Sequence, residues 1–249
     1  MTHQKNFSAD FNVRSYEVQT NGSATLGSVC NYFQEAAGLH AHELEFDISQ
    51  LQAKGITWIL YKMNIEILDY PERWNTVKVL TWPSSGDGLR AYRDYQLFNS
   101  EGQIIAKAVS QWMVLDLKTR RPVRMPREIV EMGLEQEQHV MEFDKSQLKV
   151  NQGTDSVEIT TVGKHDLDMN DHVNNVKYID WLTGYPPPLV SKEKQCFRME
   201  IQYISEATLG DRIHLSQETR TENGGYILDQ QLSKNGSMKE IAKAQSVWR

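Results

Sequence analysis

The chain has 249 residues, 39% hydrophobic and 24% charged, an ordinary globular composition that excludes a disordered chain, and its net charge of −6 argues against nucleic acid as the main partner. Cys30 and Cys196 form no CxxC pair, so buried thiols in a reducing, cytoplasmic compartment are expected rather than a disulfide framework or a zinc site. No apolar run reaches the length of a membrane span, and the N-terminus lacks the apolar core of a targeting peptide.

In chain order, strand-like sequence begins by Phe11. Leu26, Val29, Cys30, Phe33, Ala37 and His40 then recur at the spacing of one helical face. Tyr61, Met63, Ile65 and Ile67 alternate as a half-buried strand does, and further strands are expected at 76–82, 91–98 and 104–115. Asn99-Ser100-Glu101-Gly102 is a turn sequence. Residues 116–126 form a polar, proline-punctuated connector, and 127–140 has the composition of a linking helix. Val173, Val176, Ile179 and Leu182 mark a second helix, which stops at Gly184 before Pro186, Pro187 and Pro188. Phe197, Met199, Ile201 and Tyr203 alternate again. Strands are expected at 212–216, 226–232 and 241–248, with a turn at 234–237.

The two halves repeat each other. Lys62-Met63-Asn64-Ile65 aligns with Arg198-Met199-Glu200-Ile201 at an offset of 136 (198 less 62), and Ala106-Lys107-Ala108 aligns with Ala242-Lys243-Ala244 at the same offset. Ser110 and Trp112 likewise meet Ser246 and Trp248. One helix followed by a run of strands in each half is an α+β pattern, two antiparallel sheets each wrapped round an apolar helix. The expected division is 1–126, a linker at 127–146, and 147–249. No glycine-rich nucleotide loop is present.

Polar, titratable residues cluster before the second helix: Asp166-Leu167-Asp168-Met169-Asn170-Asp171-His172-Val173-Asn174-Asn175. Aligning Tyr32 with Tyr178 sets Ala24 opposite Asn170 and Leu26 opposite His172, and the 136 offset sets Tyr70 opposite Glu206. Asp168 or Asn170 alone would serve as a helix N-cap, and a single histidine there is more often structural. Their occurrence in one half only, together with Glu206, favours a site.

Asp168 to Tyr178, followed by Trp181, resembles the signature of the acyl-acyl carrier protein thioesterases of plant plastids and bacteria. Arg14-Ser15-Tyr16-Glu17-Val18, Thr81-Trp82, Gly88-Leu89-Arg90 and Thr119-Arg120-Arg121 resemble other segments of that family. The resemblance implies two fused hotdog domains and hydrolysis of the thioester between a fatty acyl chain and carrier-protein phosphopantetheine, with no metal or cofactor. It places the catalytic residues at Asp168, Asn170, His172 and Glu206. Plant members follow that glutamate with cysteine. Here Ala207 stands in its place, which excludes a thiolate nucleophile there, and Cys196 lies well upstream.

The expected chemistry is therefore water activated by a carboxylate, Glu206 first and Asp168 second, with its basicity raised by partial burial. Asn170 and the amides of the following helix would stabilise the oxyanion, and His172 would orient water or protonate the thiolate. Direct carboxylate attack through an anhydride remains open. Phe33, Trp58 and Met63 are expected to line the acyl pocket. Arg90, Arg93, Arg120 and Arg121 are expected to meet the acidic acyl carrier protein. An acyl-CoA thioesterase, a thioester dehydratase and a non-catalytic acyl-binding protein are the competing readings. Two fused domains leave either a monomer or a homodimer.

Overall fold

The computed structural model describes residues 5–84, 86–132, 138–151, 153, 155–190, 194–236 and 239–249. The chain divides into two compact units, Met1–Asp144 and Lys145–Arg249.

The first unit contains β1 (Phe7–Asn12), α1 (Leu26–Glu43), α2 (Ile48–Gln52), β2 (Ile56–Ile67), β3 (Thr76–Ser84), β4 (Ala91–Phe98), β5 (Ile104–Asp116), β6 (Pro122–Val123) and α3 (Arg127–Met132). Its strands pair antiparallel in the order β1-β3-β4-β5-β2, with β6 folded back on β5. The α1 helix begins where the Thr25 Oγ1 accepts the Ser28 N–H at 2.9 Å, satisfying one free amide of the first turn. Leu26, Val29, Cys30, Phe33, Ala37 and His40 are all buried, as their spacing requires. Phe33 meets Tyr95 of β4 with ring centroids 5.1 Å apart. Burial of side chains of this size contributes about 1.5–3 kcal/mol each.

Simple alternation fails along β2. Its second face is covered too, because Lys62 and Asn64 are as buried as Met63 and Ile65. The Lys62 Nζ donates to the Asp144 carbonyl at 2.7 Å and lies over the Phe143 ring. On β4, the buried Asp94 accepts the Val140 N–H at 2.8 Å and faces His139 Nδ1 at 3.0 Å. Residues 139–144 thus cover the sheet with polar groups whose partners come from that covering segment. The expected helix at 127–140 is realised as α3. Its residues 133–137 lie outside the described residues, and His139 and Val140 are not helical.

The second unit contains β7 (Ser156–Thr161), α4 (Asn175–Gly184), β8 (Cys196–Tyr203), β9 (Arg212–Glu222), β10 (Gly225–Lys234) and β11 (Glu240–Trp248), in the antiparallel order β8-β11-β10-β9-β7. Here too a polar residue beneath the covering chain is buried: Gln202 accepts the Leu148 N–H at 2.9 Å. The Ser110–Trp112 and Ser246–Trp248 matches have a physical basis. Trp112 Nε1 donates to Ser110 Oγ at 2.7 Å and Trp248 Nε1 to Ser246 Oγ at 2.9 Å, so the same bond recurs in β5 and in β11.

Candidate active site

The polar cluster before α4 folds as a tight turn. The Asp168 N–H donates to the His172 carbonyl at 2.7 Å, and the Asp171 N–H to the Asp168 carbonyl at 3.2 Å. Asp168 Oδ1 accepts the Asn170 N–H at 2.7 Å, which fixes that carboxylate in the turn. Asp171 takes the left-handed conformation, φ 59°. Val173 then bridges Leu167, and Asn174 caps α4 by accepting the Val176 N–H at 2.9 Å. The helix therefore starts at Asn175, two residues after the first member of its apolar stripe.

The first unit contains the same turn. Gln19 N–H donates to the Ser23 carbonyl at 2.8 Å, and Gly22, φ 87°, donates to the Gln19 carbonyl at 2.9 Å. Thr25 N–H reaches the Glu17 carbonyl at 3.0 Å as Asn174 N–H reaches that of Asp166 at 2.9 Å. The Arg14 N–H donates to the Glu17 carboxylate at 2.7 Å, just as the Gly163 N–H donates to Asp166 at 2.9 Å. The local offset is 149 (174 less 25). This corrects the pairing expected from the helical tyrosines: Asn170 corresponds to Asn21, His172 to Ser23 and Asp168 to Gln19.

The correction separates scaffold from chemistry. The turn, the cap and the acid at Glu17 or Asp166, half-buried in the first unit and buried in the second, occur in both units, so they are structural. Asp168 and His172 correspond to Gln19 and Ser23, so the turn itself does not require an acid or an imidazole at these positions. Glu206 corresponds to Tyr70, and this match rests on equivalent bonds: Ala24 N–H to the Pro71 carbonyl at 2.8 Å and Val173 N–H to the Ala207 carbonyl at 3.0 Å.

That last bond brings the 206–207 segment against the turn. His172 Nε2 lies 3.3 Å from Glu206 Oε2, with the histidine side chain 28% exposed and the glutamate 40% exposed. Water reaches both. Two further groups that the sequence reading did not single out hold the segment: the Tyr178 hydroxyl accepts the Ala207 N–H at 3.0 Å, and the Lys234 Nζ donates to the Glu206 carbonyl at 2.9 Å. Tyr178 stood within the quoted motif, whereas nothing in the sequence marked Lys234. The amides of Val173, Asn174, Val176 and Lys177 are bonded to the Ala207 carbonyl, the Asp166 carbonyl, Asn174 Oδ1 and the Asn174 carbonyl respectively. These four amides are thus engaged.

The remaining expected residues lie in the first unit. Phe33 and Met63 are buried, and Trp58 is half-buried with its Nε1 donating to the Phe46 carbonyl at 2.8 Å. Arg90, Arg120 and Arg121 are exposed. Arg93 is only partly exposed and turns toward α1, donating to His40 Nδ1 at 3.1 Å and Thr81 Oγ1 at 3.3 Å. Loss of solvation lowers its pKa. Cys196 is buried, and burial pushes its thiol up to about 12, so it is no nucleophile at neutral pH. Among the described residues, no cluster of three His, Cys, Asp or Glu side chains is arranged to hold a metal, and no helix is long and apolar enough to cross a membrane.

Solved structures share this architecture. The acyl-ACP thioesterase from Bacteroides thetaiotaomicron VPI-5482 superposes with a TM-score of 0.85 at 27% identity, covering 98% of each chain. The 12:0-ACP thioesterase from Umbellularia californica gives a TM-score of 0.87 at 23% identity, covering 99% of this chain and 95% of the other. The protein is thus an α+β protein of the hotdog class, with two such units in tandem.

Family models name the particular branch: the acyl-ACP thioesterase N-terminal domain matches residues 4–132 and the C-terminal domain residues 149–249. The chain belongs to the acyl-ACP thioesterase family. It is 30% identical to the chloroplastic palmitoyl-acyl carrier protein thioesterase of Cuphea hookeriana over 98% of its own length, and it spans 62% of the length of that relative.

Proposed function

We propose that the protein hydrolyses fatty acyl thioesters of acyl carrier protein to the free fatty acid and the carrier thiol. The observation that carries this reading is the His172–Glu206 pair, 3.3 Å apart, on a turn whose counterpart has serine and whose partner segment has tyrosine. A histidine and a carboxylate brought together on a duplicated scaffold that elsewhere lacks both serve chemistry rather than folding.

In this reading Glu206 takes a proton from water as the hydroxide attacks the thioester carbonyl. The Asn170 side-chain amide stabilises the tetrahedral oxyanion, with the amides of Val173, Asn174, Val176 and Lys177 bonded elsewhere. The C–S bond then breaks. His172 receives the proton from Glu206 and delivers it to the departing thiolate, so the acid and the thiol leave with protons balanced. Asp168, which accepts the Asn170 backbone N–H, holds Asn170 in the turn and is the second candidate base.

The catalytic half is residues 147–249, with 1–126 as the acyl-binding half and 127–146 as the linker. Phe33, Trp58 and Met63 would contact the acyl chain, and Arg90, Arg120 and Arg121 the acidic carrier protein. A cytoplasmic setting fits the two buried, unbridged thiols.

The test is thiol release from acyl carrier proteins loaded with chains of eight to eighteen carbons, beside the matching coenzyme A esters. Faster turnover of the carrier-protein esters supports the proposal. Preference for the coenzyme A esters makes the protein an acyl-CoA thioesterase, and binding without turnover makes it a non-catalytic acyl-binding protein.

A further inference from the structure

We propose that Tyr178 and Lys234 are positioning residues that hold the Glu206–Ala207 segment in register with His172. The inference rests on the hydrolytic reading above.

Glu206 and Ala207 follow the end of β8 and belong to no strand, so no sheet ladder fixes them. Their backbone is held by bonds from other elements instead. Val173 N–H takes the Ala207 carbonyl, the Tyr178 hydroxyl takes the Ala207 N–H, and the Lys234 ammonium takes the Glu206 carbonyl. The first of these recurs in the first unit, from Ala24 to Pro71. The other two use side chains that the first unit lacks at the matching positions. Pro71, the counterpart of Ala207, has no N–H to satisfy, and Val29 stands at the position of Tyr178 by the 149 offset. By the ladder register that sets Leu97 against Ala106 as Leu232 is set against Ala242, an offset of 135 (232 less 97), Asn99 stands at the position of Lys234. Both anchors therefore occur in the half that has a glutamate to position.

Each anchor is itself fixed. The Tyr178 ring packs edge-on to Tyr203 at 5.5 Å and against Trp181 at 5.4 Å, so its hydroxyl has little freedom. The Lys234 ammonium is tied at the same time to Asp211 Oδ2 at 3.1 Å, on the far side of the same loop. The segment is thus pinned from α4 and from β10. A side chain whose backbone is pinned on both sides samples fewer orientations, which keeps its carboxylate beside His172.

The experiment compares wild type with Tyr178→Phe, Lys234→Met, Lys234→Arg, and Tyr178→Phe combined with Ala207→Pro. The last variant removes the orphaned N–H along with its acceptor, as Pro71 does. Turnover of lauroyl carrier protein, melting temperature and a crystal structure are recorded for each. We expect kcat to fall about tenfold in Tyr178→Phe and Lys234→Met with KM within about twofold, and to recover in Lys234→Arg and in the combined variant. The His172–Glu206 separation should widen in the first two and return in the other two. Folded single variants with unchanged kcat and separation would overturn the proposal. An inactive wild type would sink the hydrolytic reading alone, and the crystallographic separations would still decide whether the anchors position Glu206.

Discussion

His172 Nε2 lies 3.3 Å from Glu206 Oε2, and the turn that carries one is joined to the segment that carries the other by the Val173–Ala207 backbone bond. Side chains that act as a unit lose activity together. Glu206→Ala and His172→Ala should each lower kcat by at least about 10²-fold. The double variant should be little worse than either one. Steady-state thiol release, with circular dichroism as the folding control, checks this. Losses that multiply in the double variant would show two independent roles.

Gly210 and Trp74 occupy the same left-handed position of a duplicated turn, φ 83° and φ 74°, each donating to a valine carbonyl at 3.0 Å. Nothing lies within 4 Å of a Cβ built on Gly210, so Gly210→Ala tests backbone strain alone. It should destabilise by about 1 kcal/mol. Trp74 is 68% exposed, with the Arg73 guanidinium 5.3 Å from its ring centre. That contact offsets about 0.5 kcal/mol of the same strain. Trp74→Gly should therefore gain only a few tenths of a kcal/mol. Urea denaturation of both variants measures the two signs.

Arg93 is a partly buried cation with no carboxylate partner among the described residues. Its counterpart, opposite Ser246 as Arg93 is opposite Ser110, is the buried Leu228. Arg93→Leu should stabilise the protein by on the order of 1 kcal/mol, because a cation withdrawn from water gives way to an apolar side chain. A fall in melting temperature would instead make the bonds to His40 and Thr81 net stabilising.

Burial holds the Cys196 thiol at about 12, far above neutral pH. Cys30 is buried as well. Native protein should therefore resist an aromatic disulfide reagent, and both thiols should react once urea is added. Cys196→Ser should leave kcat within about twofold of wild type, since no step passes through the thiol. Loss of turnover in folded Cys196→Ser would reopen thiolate chemistry.

Much of this was legible in the sequence because it depends on near neighbours. The face from Leu26 to His40, the stop at Gly184 and the turn at 99–102 follow from local spacing and turn chemistry. The Ser-x-Trp match reported a real recurring bond. The helical tyrosines misled, however. Tyr32 and Tyr178 are alike in type but not equivalent in place, because the caps at Thr25 and Asn174 set a different register. A similar side chain on a helix is a weaker marker of register than the backbone bonds that start it.

Composition, periodicity and the motif from Asp168 to Tyr178 determined the α+β architecture, the duplication and the identity of the candidate site residues. Tertiary structure alone decided which of these groups meet. The approach of Glu206 to His172, the anchoring by Tyr178 and Lys234, and the covering of Lys62 and Asp94 all depend on segments far apart in sequence. Sequence spacing does not record such distances, because they are set by how the strands pair and by where each buried N–H and carbonyl finds its partner.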